Sequence, residues 1–293
     1  MIEAPSIQWF PGHMAKTRRL IQQNLKLVDL VVELVDARIP VSSRNPELDR
    51  WIERKPRIVL LNKCDVADER MTQSWCSYFR RLGIPALATD STSGRGLKNF
   101  APLVKEVLAK QIARWEERGM SGRPIRLMIV GIPNVGKSSF INKMAGGKYA
   151  KVEDRPGVTR TKQWISFGGD LEMMDMPGVL WPKFDDKTVG EHLAFTGAVK
   201  DDVVDVEWLA MRLLQLLAAD YPEMLKERYK IEIPEEPEEI DGYELLCAVG
   251  KKRGMLISGG EVNTERAAIT VLDEYRGGKL GRITLEKPPA KES

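Results

Sequence analysis

The sequence predicts an α/β protein: a mostly parallel sheet flanked by helices up to about residue 182, then a small all-helical domain. Apolar, β-branched runs alternate with stretches of helical spacing over the first part of the chain. A glycine-rich turn joins one such run to a helix. After Pro182 strand signals nearly vanish, while apolar residues recur at helical period.

Leu30–Asp36 is apolar and ends in an acid, as a buried strand does. Arg57–Leu61 reads likewise and runs into Asn62-Lys63-Cys64-Asp65. Met71–Leu82 is a predicted helix, and Ala86–Ala88 a short strand before the polar loop Asp90–Gly96. Leu97–Glu117 places most of its apolar residues on one helical face, until Gly119–Pro124 breaks it. Arg126–Val130 is a strand, and Lys137–Ala145 the helix after the glycine-rich turn. Thr161–Phe167 and Leu171–Met174 read as a strand pair joined at Gly168-Gly169. Beyond Pro182, Val203–Leu217 and Ala267–Tyr275 carry helical periodicity. The expected division is 1–182, a helical domain at 185–283, and a flexible tail at 284–293.

Composition excludes several classes. Of 293 residues, 43% are hydrophobic and 30% charged, so a disordered chain is not expected. The apolar stretch Leu27–Ala37 is broken by Asp29, Glu33 and Asp36, so no membrane span is expected. Three scattered cysteines without a CxxC pair, and only two histidines, argue against a disulfide framework or a zinc site and suit the cytoplasm. Residues 1–28 lack an apolar secretion segment, and Glu3, Pro5 and Pro11 interrupt a transit-peptide reading. A net charge of +3 does not by itself mark a nucleic-acid binder.

Gly131-Ile132-Pro133-Asn134-Val135-Gly136-Lys137-Ser138 fits GxxxxGK[ST] between a strand and a helix, the setting of a P-loop. Backbone N–H groups over 134–139, Ser139 included, are expected to face phosphate oxygens. Lys137 reaches the β- and γ-phosphates in this reading, and Ser138 ligates Mg²⁺. Asn62-Lys63-Cys64-Asp65 matches NKxD at a strand end and selects the base. The Asp65 carboxylate accepts from both N1–H and the 2-amino group of guanine. Adenine offers neither donor, leaving a desolvated charge unpaired. Asn62 holds the loop, and the Lys63 stem covers the ring. Asp90-Ser91 is a second candidate base-contacting turn.

Thr159, in Arg155-Pro156-Gly157-Val158-Thr159, is expected to complete the Mg²⁺ shell. Asp175-Met176-Pro177-Gly178 fits DxxG: Asp175 holds Mg²⁺ through water, and the Gly178 N–H touches the γ-phosphate. The base motif precedes the phosphate motif, the reverse of the usual order. Chemistry depends on loops meeting at strand ends, so a circular permutation preserves it. The expectation is a circularly permuted P-loop GTPase domain whose DxxG segment leads into the helical domain.

This order, with Gln8-Trp9-Phe10-Pro11-Gly12-His13-Met14, Asp36-Ala37-Arg38-Ile39-Pro40 and Lys251-Lys252-Arg253-Gly254, resembles the circularly permuted ribosome-assembly GTPases, in particular the bacterial ribosome biogenesis GTPase A family. The resemblance implies GTP hydrolysis stimulated by the large ribosomal subunit or its precursor, and a C-terminal domain that contacts rRNA. It also implies a catalytic part for His13. The residue after DxxG is Val179, which cannot orient water as a glutamine does, whereas an imidazole can. A structural or RNA-facing histidine is the alternative. Asn134 in a GxPNVGKS loop suggests K⁺ beside the phosphates, or only a loop-stabilising amide.

Lys148, Lys151, Arg155, Arg160 and Lys162 cluster before the hairpin; Lys251-Lys252-Arg253, Arg276, Lys279 and Arg282 lie in the helical part. They suit rRNA phosphates or simply a solvated face. Trp51, Trp75 and the stripe Trp208, Leu209, Leu213, Leu216, Leu217 read as core. The resulting expectation is a monomeric GTP-hydrolysing assembly factor. The alternative is a GTP-responsive rRNA scaffold in which hydrolysis is incidental.

Overall fold

Seven consecutive buried residues place strand β1, Leu30–Asp36, at the heart of a sheet. The computed structural model describes residues 12–52, 55–147, 164–178, 180, 186–234, 236 and 241–289, with side chains from residue 16. Described residues up to 180, with 284–289, form one compact unit; those from 186 to 283 form another.

The first unit contains α1 (Gly12–Leu25), β1, α2 (Leu48–Ile52), β2 (Arg57–Asn62), α3 (Glu69–Arg81), β3 (Ala86–Ala88), α4 (Phe100–Val107), α5 (Ala109–Glu117), β4 (Ile125–Gly131), α6 (Lys137–Met144), β5 (Ile165–Phe167) and β6 (Leu171–Asp175). The strands form one six-stranded sheet in the order β3-β2-β1-β4-β6-β5. Every neighbouring pair is parallel except β5–β6, the hairpin expected at Gly168-Gly169. Parallel strands buried on both faces need continuous apolar runs. The sequences LVVELVD, RIVLLN and IRLMIVG supply them.

Two apolar clusters anchor the surrounding helices. Ile21 and Leu25 of α1 and Leu48, Trp51 and Ile52 pack with Val31, Met128, Val130, Met174 and Met176. Trp75, Cys76 and Phe79 of α3 pack with Val35, Val59, Leu61 and Ala86. Fully burying each such side chain contributes about 1.5–3 kcal/mol.

The structure departs from the sequence expectation in specific places. The single helix expected over 97–117 is interrupted at Leu108, which leaves helical geometry at φ −98° and ψ 8° while burying its side chain. The following α5 carries no buried residue. Helix α3 starts earlier than expected because the Asp68 carboxylate accepts from Met71 N at 2.7 Å and caps it. Thr161–Gln163 lie outside the described residues.

The second unit contains α7 (Lys187–Phe195), α8 (Val206–Asp220), α9 (Pro222–Tyr229), α10 (Gly242–Lys252) and α11 (Thr264–Arg276). Its described β structure is one isolated bridge, Leu256–Val262. Helix α8 is central, packed by α10 and α11. Its buried stripe is Leu209, Leu213, Leu214 and Leu217; Leu214 takes the place the sequence assigned to Leu216. A Cβ on Gly242 would stand 2.6 Å from the Met211 carbonyl oxygen, which is why α10 starts on glycine there. Asp186, Asp205, Asp241 and Asn263 cap α7, α8, α10 and α11 through their side chains.

Residues 284–286 are not the loose tail expected at 284–293. Thr284 is 2% exposed, and Leu285 N donates to Arg38 O at 2.8 Å within the first unit. Residues 290–293 lie outside the described set.

Candidate nucleotide-binding site

In this sheet β2 and β3 extend from one side of β1, whereas β4 lies on the other. The chain therefore reverses its direction of growth between β1 and β4, and open α/β sheets bind ligands outside the strand carboxyl ends at such a point. There stand Asp36 closing β1, Asn62–Asp65 from the last residue of β2, Asp90-Ser91 after β3, Gly131–Ser138 from the last residue of β4 and Asp175–Gly178 from the last residue of β6.

Asn62 ties three of these loops together. Its Nδ2 donates to the Val135 carbonyl at 2.8 Å, 73 residues along the chain. Its Oδ1 accepts from the Ser91 hydroxyl at 2.7 Å and the Ser91 N–H at 3.1 Å. A Cβ on Gly136 would collide with Asn62 Nδ2, so the P-loop meets the base motif at a residue without a side chain.

The individual side chains then take distinct positions. Lys63 and Asn134 adopt left-handed backbone, φ 60° and 56°. Asp65 is exposed. Lys137 is buried at the start of α6 and its Nζ donates to Ile132 O at 2.8 Å and Gly131 O at 3.2 Å. Ser138 is half-buried, Ser139 and Asn134 are exposed, and Val135 is buried. A Cβ on Gly178 would lie 2.8 Å from Pro133 N and 2.9 Å from Lys137 Nζ, so the DxxG segment touches the P-loop itself.

Within the Asp90-Ser91 turn, the second candidate base-contacting loop, Asp90 bonds its own neighbours. Its carboxylate accepts from Thr92 N at 2.7 Å and Ser93 N at 3.1 Å, shaping its own loop. Burial opposes its charge, but the Ser93 hydroxyl and these N–H groups hold it below the usual carboxylate range. Arg95 bonds Glu69 at 2.6 Å and so links this loop to the start of α3.

A buried ion cluster behind the base motif was not legible as a site. Arg38 reaches Asp36 through Nε at 2.9 Å and Nη2 at 2.7 Å, and Lys63 Nζ lies 3.1 Å from Asp36. Burial disfavours the Asp36 charge, yet the Arg38 guanidinium and Lys63 ammonium outweigh it and hold the carboxyl well below its usual range. For Lys63 desolvation wins, and its pKa is lowered. The available signal was an acid ending an apolar strand with an arginine two residues later. Arg38→Leu removes the guanidinium, leaving Asp36 the Lys63 ammonium and the main-chain N–H of residue 38 at 3.1 Å, and is expected to cost about 3–5 kcal/mol in urea unfolding. A loss under about 1 kcal/mol contradicts the pairing.

Thr159 and Val179 lie outside the described residues, as do Lys148, Lys151, Arg155, Arg160 and Lys162. His13 falls in the first turn of α1, but its side chain lies outside them too. In the helical unit, Arg253 pairs with Glu274 at 3.2 Å. Arg276 binds Asp201 at 2.6 Å and the carbonyls of Ala194 and Phe195. These two arginines are thus paired within the unit; Arg253 is nonetheless exposed, as are Lys251, Lys252 and Lys279.

The oxygen chemistry at the P-loop suits a hard divalent cation. A Ser138 hydroxyl opens α6, and the Asp175 carboxylate ends β6 beside Ile129 of β4. No cluster of three or more His, Cys, Asp or Glu exists among the described residues, and a site completed by a hydroxyl and phosphate oxygens needs none.

Comparison with known proteins agrees with this geometry. Residues 126–230 match the family model described as 50S ribosome-binding GTPase. The chain is 52% identical to Ribosome biogenesis GTPase A of Priestia megaterium over 289 residues, 98% of this chain and 99% of that one. It is 31% identical to the Thermotoga maritima protein of the same name, over 96% of this chain and 95% of that one. The crystal structure of GNP-bound YlqF from T. maritima aligns with TM-score 0.63 and 28% identity, covering 93% of this chain and 98% of that one.

Proposed function

The chain belongs to the ribosome biogenesis GTPase A family, and we propose that this ribosome-assembly GTPase engages the large-subunit precursor in its GTP form and leaves on hydrolysis. The observation that carries the reading is Asn62, whose amide joins the guanine-reading loop to the P-loop at the switch point of the sheet. In this reading Asp65 accepts from the guanine edge and Lys63 covers the ring. Lys137 and the N–H groups of residues 134–139 hold the phosphates. Ser138, Asp175 and Thr159 would hold Mg²⁺, which would supply positive charge against the phosphates when bound. Gly178 N–H meets the γ-phosphate.

Two further roles belong to the same proposal. His13 orients the attacking water where Val179 cannot. Asn134 helps hold K⁺ beside the phosphates. Lys251, Lys252, Arg253 and Lys279 are exposed charges offered to rRNA phosphates.

Co-sedimentation with purified ribosomal subunits tests the reading, with GTP turnover measured in parallel. The non-hydrolysable GTP analogue is expected to retain the protein on the large subunit, and GDP to release it. Turnover rises with subunits, rises further in KCl than in matched NaCl, and loses its stimulation in His13→Ala. Equal sedimentation in both nucleotides, with no stimulation, favours the passive scaffold instead.

A further inference from the structure

The segment Thr284–Glu286 is stitched to both backbone stretches that flank the base-reading residues. The Thr284 hydroxyl accepts from Asp68 N at 3.1 Å and lies 3.4 Å from Ala37 O. Asp68 caps α3 three residues after Asp65, and Ala37 follows the Asp36 that holds Lys63. Leu285 N donates to Arg38 O at 2.8 Å.

Glu286 secures the same turn from outside. Its two carboxylate oxygens accept from Val41 N at 2.5 Å and Ser42 N at 3.0 Å. Its main-chain carbonyl accepts from Trp75 Nε1 of α3 at 3.0 Å. The turn they grip closes back on Asp36, whose N–H donates to the Ser43 hydroxyl at 2.9 Å. An anion on two successive N–H groups makes charge-assisted bonds, which are shorter and stronger than neutral ones.

We propose that Thr284 and Glu286 are positioning residues for guanine recognition: they brace the Asp36–Arg38 turn and the start of α3, and so set Lys63 and Asp65. Neither touches the nucleotide. Sequence separation hides them: the strap is 216 residues from Asp68 and 245 from Val41. The proposal rests on the reading of Asp65 as the guanine acceptor.

The test compares affinity for GDP and for inosine diphosphate, whose base lacks the 2-amino group, using the full-length chain. Wild type is expected to prefer GDP by about ten-fold or more, the worth of a hydrogen bond to a charged acceptor. Thr284→Val keeps the volume but removes the hydroxyl. It is expected to weaken GDP about three- to ten-fold, weaken inosine diphosphate less, and narrow the ratio. Thr284→Ser restores the ratio. Glu286→Gln, which leaves the Trp75 bond to the main chain intact, narrows it as well. Melting temperature is recorded for every variant. Lowered melting with an unchanged GDP preference in both variants makes the strap merely structural and overturns the proposal. A wild type with no preference for GDP overturns the Asp65 reading and the strap with it.

Discussion

Asp65→Asn is expected to lower affinity for GTP and GDP by about 100-fold or more and to transfer preference to xanthosine nucleotides. In the proposed reading the carboxylate accepts two hydrogen bonds from guanine, N1–H and the 2-amino group, each worth about 1.5–3 kcal/mol to a charged acceptor. An asparagine amide keeps one acceptor and turns a donor toward the 2-amino group, donor against donor. Xanthine carries an oxygen at that position, which accepts from the same amide. Adenine gains nothing, since it presents no N1–H. The exchange is local: Asp65 is exposed, and the loop is held by Asn62, Lys63 and the α3 cap rather than by the Asp65 side chain. Competition of labelled GDP against GTP, xanthosine and adenosine triphosphates measures it. Unchanged guanine affinity in Asp65→Asn means the base is read elsewhere.

The loops that meet at the carboxyl ends of the strands were legible because each is a short motif fixed to a strand end. Strand ends are the easiest boundary to read in buried apolar runs. LVVELVD, RIVLLN and IRLMIVG announce where β1, β2 and β4 stop, so Asp36, Asn62 and Gly131 fall at one edge of a parallel sheet whatever the chain order. Helix α1 was missed for the opposite reason. Among its described side chains only Thr17, Ile21, Asn24 and Leu25 are buried, too sparse an apolar face to stand out amid Lys, Arg and Gln. Charge roles were also opaque. Arg253 and Arg276 look like phosphate ligands in one dimension, yet each finds a distant acid, Glu274 or Asp201, that no local pattern pairs with it. The strap at 284–286 is the extreme case. Its sequence, Thr-Leu-Glu, carries no motif, and its structural meaning lies in partners more than two hundred residues away.

Gly178→Ala is expected to reduce the hydrolytic rate about 100-fold while leaving GDP affinity within about three-fold, close to the loss seen when one donor to a developing oxyanion is removed. The effect is steric. An added Cβ meets Pro133 N at 2.8 Å and Pro133 Cα at 2.9 Å, distances that real Cβ atoms do not tolerate. Pro133 is backbone inside the P-loop and cannot swing aside as a side-chain tip can. Lys137 Nζ, 2.9 Å away, could yield, but yielding displaces the lysine proposed to hold the phosphates. The DxxG segment must therefore lift from the loop, taking the Gly178 N–H off the proposed γ-phosphate position. GDP lacks that phosphate, so its binding is spared. Gly169→Ala is the matched control: its φ is 83° and nothing stands within 4 Å of the new methyl. It carries backbone strain of about 1–2 kcal/mol without a clash, so it lowers stability and leaves the rate alone. Single-turnover hydrolysis with GDP titration separates the two. A Gly178→Ala protein that turns over at the wild-type rate places the γ-phosphate contact elsewhere.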